Sequence, residues 1–172
     1  MKSKIAPIIT LFLITLLSGF LITLVYSLTD DIRAQNLDNR ILAEVKLVFP
    51  ETENIERIAI SDHELITEKI IARDRINREI GVLYQAGDTN AFGEIIILVA
   101  IKDDYVVSVR FIVLNQTHAN RVRENANQIY RDIHFDNVPE VDLISGSTIS
   151  TQLIRDLVQA AIDFHREIAH DE

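Results

Sequence analysis

The chain is almost wholly apolar from Ile5 to Leu28, IAPIITLFLITLLSGFLITLVYSL. As a helix rising 1.5 Å per residue, this run spans roughly 36 Å, enough to cross a hydrocarbon core of about 30 Å with some tilt. A helix satisfies every backbone polar group internally, as the bilayer interior requires, and its Ser and Thr hydroxyls can bond back to the preceding turn. Lys2 and Lys4 precede the run, and Asp30 and Asp31 follow it. The positive flank is expected to stay in the cytoplasm, which sends the residues after 29 outward. A cleaved signal peptide would have a shorter apolar core and then a small-x-small cleavage site, and the boundary VYSLTDD offers none. Ser18 and Gly19 form a small-residue spot where a second helix could approach.

Beyond this run, a chain of 172 residues and 19.6 kDa has room for one globular domain. A hydrophobic fraction of 48% beside 25% charged residues belongs to a folded chain. The formal net charge is −9, and no Lys/Arg cluster stands out against it, so a nucleic-acid partner is not expected. The absence of cysteine excludes disulfides, lipidation at cysteine, cysteine-held iron–sulfur clusters, c-type haem attachment and thiol nucleophiles.

The periodicities predict an α+β domain with a mainly antiparallel sheet. Residues 31–49 read as an amphipathic helix with Ile32, Leu37, Ile41, Val45 and Val48 on its apolar side, closed by Pro50. The expected organisation is an anchor over 1–29, a stalk helix over 30–50 and an extracytoplasmic domain over 51–172. Two β-branched runs between 54 and 72 and the segment EIGVLYQA at 79–86 are strand candidates. The clearest hairpin is 94–114, where apolar runs flank Lys102-Asp103-Asp104. Its first arm is continuous enough for a central strand. Its second alternates, which assigns Val107, Val109, Phe111 and Val113 to one face. Residues 118–133 read as a surface helix with Val122, Ala126, Ile129 and Ile133 on one stripe. A last helix, about 149–169, carries Leu153, Leu157, Ala161, Phe164 and Ile168.

The conspicuous local sequence is DLISGSTIST, Asp142 to Thr151, which joins a short extended stretch after Pro139 to the last helix. Small hydroxyl residues around Gly146 let the backbone turn sharply. They also place N–H groups and hydroxyls at a helix N-terminus, where a phosphate is favoured. The same residues serve equally as an ordinary helix cap.

DLISGST also resembles the flavinylation motif of the FMN-binding domain family, commonly Asp-x-x-Ser/Thr-Gly-Ala-Thr. That family includes the G subunit of the Rnf electron-transport complex and the C subunit of the sodium-translocating quinone reductase. The resemblance implies FMN linked by a phosphodiester to Thr148, installed from FAD by a magnesium-dependent flavin transferase. Asp142, Ser145 and Gly146 match the motif, and Ser147 stands where alanine is usual. The resemblance extends to the lysine-flanked span, to Phe-Pro-Glu at 49–51 and to Ala-Phe-Gly-Glu-Ile at 91–95, as in the Rnf G subunit. The family's Glu-Thr-Pro-Gly-Leu-Gly loop near the flavin is replaced by Gln116-Thr117-His118-Ala119-Asn120-Arg121, which retains the threonine, Thr117.

Other chemistry finds little footing. His165 and His170 lie five apart, off the spacing that puts two metal ligands on one helical face, and HExxH is missing. His63, His118 and His134 are isolated, and no GxGxxG or Walker loop occurs. The resemblance therefore implies a single-pass flavoprotein subunit of a bacterial inner-membrane, Rnf-like ion-translocating oxidoreductase, with no catalytic residue and no stand-alone activity of its own. Its partners would be the complex's other membrane subunits and, during maturation, the flavin transferase. Two alternatives stay open: a stand-alone anchored FMN carrier of another respiratory chain, and a flavin-free anchored module that binds a partner.

Overall fold

The computed structural model describes residues 2–116, 118–139 and 148–171. The chain divides into two compact units, Met1–Arg40 and Ile41–Glu172. The first helix, α1 (Lys2–Val48), contributes to both.

Within the first unit, Pro7–Thr29 forms one helix long and apolar enough to cross a membrane, with mean hydropathy 2.6 and none of its length buried. Its hydroxyls are spent on the helix itself. Thr15 Oγ1 donates to the carbonyls of Leu11 and Phe12, Thr23 to Gly19, and Thr29 to Val25, at 2.6 to 3.1 Å. Such back-bonding leaves these side-chain donors satisfied without water along the apolar surface.

The second unit is an α+β domain built on a six-stranded antiparallel sheet whose spatial order is the chain order: β1 (Asn54–Ala59), β2 (Ile66–Arg73), β3 (Glu79–Asn90), β4 (Gly93–Lys102), β5 (Tyr105–Leu114) and β6 (Ile133–His134). Between β5 and β6 lies α2 (Ala119–Ile129), and α3 (Thr148–Asp171) comes after a short 3₁₀ turn at Phe135–Asn137. Strand β4 is interior and covered on both sides. Ile95, Ile97, Val99 and Ile101 enter one core with α2 and α3, while Leu98 and Ala100 enter a second. That two-sided burial is why its sequence is an unbroken apolar run. The β4–β5 connection has two central residues, Asp103 (φ 51°) and Asp104 (φ 62°). Positive φ at both is the type I′ geometry that matches strand twist, and aspartate tolerates it better than a branched residue.

The first core is sealed by α3, whose Ile154, Leu157, Val158, Ala161 and Ile162 are buried, together with Val122 and Ala126 of α2. The second core is closed by the end of α1 and the residue after it. Ile41, Val45 and Phe49 pack on Ile70, Leu83, Leu98 and Ile112. The Phe49 ring occupies the place that a Cβ on Gly81 would take. Gly81→Ala is therefore expected to cost about 1–3 kcal/mol through overpacking, read as a lower urea midpoint of the full chain in detergent. An unchanged midpoint would mean that the ring moves aside freely.

Two expectations are corrected. Val107, Val109, Phe111 and Val113 do not share a face, because the β4–β5 register shifts between Ile96 and Ile97 and again between Ala100 and Ile101. The extra residues, Ile112 and Val107, are bulges, and each bulge reverses the in–out alternation beyond it. Val109 and Phe111 join the first core, while Val107 and Val113 pack against the second. The stripe of α2 also stops short. The helix ends at Ile129, Asp132 takes φ 54°, and Ile133 pairs with Val106 as part of β6.

Candidate functional site

Of the residues singled out by the flavinylation motif, Thr148 is described; Asp142, Ser145, Gly146 and Ser147 lie outside the described residues, as do Thr117 and the stretch after Pro139. Thr148 is the first residue of α3 and is partly exposed. It begins a 24-residue helix with no acidic side chain in its first turn. The first N–H groups of a helix have no partner within the helix itself and, with the helix dipole, favour an anion, and no carboxylate of that turn opposes one. A phosphodiester at this hydroxyl would fit that environment.

The next turn is anchored inward. Ser150 and Thr151 are only 4% and 5% exposed and sit at helical spacing from Ile154 and Val158, on the stripe that α3 buries. Two residues earlier, Thr148 lies about 200° around the axis from Ser150 but about 60° from Thr151, which puts it at the margin of that stripe and agrees with its partial exposure. A buried hydroxyl needs a partner. Ser150 Oγ donates to Gln116 Oε1 at 2.6 Å. The amide of Gln116 in turn donates through Nε2 to the Gly93 carbonyl at 3.0 Å and to Asn90 Oδ1 at 3.3 Å. Asn90 Oδ1 also accepts the Phe92 N–H at 2.8 Å, and Phe92 itself is 52% exposed. The β3–β4 turn, the residues after β5 and the start of α3 thus meet beside Thr148.

Sequence reasoning did not single out the bonding roles of Gln116 and Asn90. The available signal was Ser150, a hydroxyl on a mainly apolar helix stripe, which calls for a bonding partner once buried.

Residues 91–163 match the FMN-binding domain family. The match takes in β4, β5, α2, β6 and most of α3, with Thr148, Ser150, Gln116 and Gly93 inside it, and covers less than half of the chain. Among curated proteins none matches the chain. This match agrees with the phosphate-favouring start of α3 and supports FMN as the ligand class.

His63, His134 and His165 make bonds within the fold. His63 Nδ1 accepts the N–H groups of Leu65 and Ile66 at 3.1 and 3.0 Å, closing the entry to β2. His134 Nδ1 accepts Asp136 N–H at 3.3 Å. Among the described residues, no group of three or more His, Asp or Glu could hold a metal. His165 lies roughly 25 Å along α3 from Thr148, with its Nδ1 2.9 Å from the hydroxyl of the fully buried Tyr84. Burial, with a smaller contribution from Lys69, holds the His165 pKa below its ordinary 6.5. Neutral His165 can accept the Tyr84 proton; the imidazolium cannot. Because the folded-state pKa is lowered, the unfolded chain takes up the proton first as pH falls. Stability is therefore complete above about pH 6.5 and declines as pH drops toward the lower folded value. Melting curves between pH 8 and 5 should show this slope, and His165→Asn should flatten it. An equal slope in the variant would assign it to other groups.

Proposed function

We propose that this chain is a membrane-anchored flavoprotein subunit that carries FMN on Thr148 through a phosphodiester and relays electrons in an Rnf-like ion-translocating oxidoreductase. The observation that carries the reading is the position of Thr148: a partly exposed hydroxyl heading α3, inside the stretch matched by the FMN-binding domain family. Maturation would join Thr148 Oγ1 to the phosphorus of the FMN half of FAD. The pyrophosphate bond breaks, AMP leaves, and the hydroxyl proton passes to a base of the transferase. Bound FMN supplies one- and two-electron chemistry, while the protein holds the ring and sets its surroundings. Asp142 would serve recognition by the transferase, and Ser145, Gly146 and Ser147 would shape the phosphate turn, with Thr117 nearby. The apolar helix would place the domain outside the cytoplasm and beside membrane partners. A single span with no charged residue offers no ion path, so the coupled ion would cross through those partners.

The 116–121 segment, which lacks the usual Pro-Gly-Leu-Gly, favours a stand-alone anchored FMN carrier as the second reading. Purification in mild detergent after expression in the native membrane separates the two. Stoichiometric co-purification of other membrane subunits is expected, and a lone flavinylated chain would favour the second reading. A chain without flavin fluorescence on a denaturing gel, despite an active transferase, would argue for a flavin-free module.

A further inference from the structure

Gln116 bonds at once to the start of α3 and to the β3–β4 turn, the two sides of the Thr148 region. Its amide presents an acceptor and a donor at the same end, and both are used: Oε1 toward Ser150 of α3, Nε2 toward Gly93 and Asn90 of the β3–β4 turn. The 2.6 Å bond from Ser150 is the shortest of the three, and the 3.3 Å bond to Asn90 the longest. Few other side chains could do this. An aliphatic chain would leave the 4%-exposed Ser150 hydroxyl without this partner. The turn that Gln116 grips carries Phe92, half exposed, whose N–H also donates to Asn90 Oδ1.

We propose that Gln116 is a positioning residue for the flavin: it clamps the first turn of α3 to the β3–β4 turn, and so fixes where the Thr148 hydroxyl stands and where the attached ring lies relative to Phe92. The inference rests on the reading of Thr148 as the attachment site. The clamp acts through Ser150, two residues from Thr148, and needs no contact between Gln116 and FMN. Once the bonds are lost the helix start can shift, which affects both the presentation of the hydroxyl to a transferase and the mobility of the ring afterwards.

The test uses the full chain in detergent, co-expressed with a flavin transferase, as wild type, Gln116→Met, Gln116→Leu and Ser150→Ala. Three quantities are read: the fraction flavinylated at early times, the fluorescence anisotropy and visible circular dichroism of the attached flavin, and the melting midpoint. Gln116→Met and Gln116→Leu should slow attachment by about tenfold, the scale of one of the stronger hydrogen bonds. Their flavin should show lower anisotropy and a weaker dichroic band at temperatures where the domain is fully folded. Ser150→Ala, which keeps a good helix former in place, should produce the same optical change, and combining it with Gln116→Leu should add little. That variant decides the matter should the Gln116 replacements fail to fold. Labelled variants with the wild-type rate, anisotropy and dichroism would overturn the clamp while leaving the attachment site intact. An unlabelled wild type would overturn the attachment reading and the clamp with it.

Discussion

Thr148→Ala should lose covalent flavin completely while remaining folded. A phosphodiester needs the hydroxyl oxygen, and alanine has none, so the effect is a loss of the band and not a reduction. Folding is not expected to confound it. Thr148 is partly exposed at the head of α3, and the inward anchoring is done by Ser150, Thr151 and the apolar stripe behind them. Loss of a hydroxyl at a helix start costs about 1 kcal/mol, small beside the burial of α3 along the first core. The expected result is a non-fluorescent band on a denaturing gel beside a melting midpoint within a few degrees of wild type. Thr148→Ser keeps an oxygen in nearly the same place and should be labelled, more slowly. A fluorescent Thr148→Ala chain would move the attachment to another hydroxyl, with Ser147 the first to replace.

The second large effect is expected at Gly93. This residue has φ +130°, a conformation that side chains rarely adopt, and a Cβ built on it would run into the backbone carbonyl oxygen of Asn115. Asn115 is tied down in turn, its N–H donating to the Glu94 carbonyl at 3.0 Å. Neither the strain nor the clash can be relieved by turning a side chain. Gly93→Ala should cost about 3 kcal/mol, enough to lower the melting midpoint of the full chain by several degrees. Because the Gly93 carbonyl accepts from Gln116, the same substitution should also depress flavin attachment in the fraction that remains folded. Gly87→Ala is a useful contrast: Gly87 has no positive φ, and its added Cβ would meet Ile96 Cγ1 at 3.2 Å and the Ile95 carbonyl oxygen at 3.3 Å, tight contacts that ask for small shifts only. A Gly93→Ala midpoint no lower than that of Gly87→Ala would contradict the account of this turn.

The parts of the fold that could be read in advance were those whose cause is local. The apolar helix follows from composition alone, and the β4–β5 hairpin from two apolar runs around a Lys102-Asp103-Asp104 turn that accepts positive φ. The interior position of β4 follows from the lack of any polar face in its sequence. What escaped was set by pairing across the sheet. The bulges at Val107 and Ile112 exist only relative to β4, and nothing in VVSVRFIVL marks which residue will be skipped. Ile133 kept helical spacing with Ile129, yet a positive φ at Asp132 and pairing with Val106 drew it into β6. The site divides the same way. Thr148 could be singled out because the DLISGST motif is a local sequence, whereas Gln116 looks like any polar loop residue until Asn90, Gly93 and Ser150 are brought around it.

The central claim is that Thr148 holds one FMN by a covalent bond, and the intact mass of the full chain co-expressed with an active flavin transferase tests it most directly. The account predicts a single adduct of one FMN less one water, located by fragmentation on the peptide containing Thr148. An unmodified mass, or the same adduct on a peptide that excludes Thr148, would contradict it.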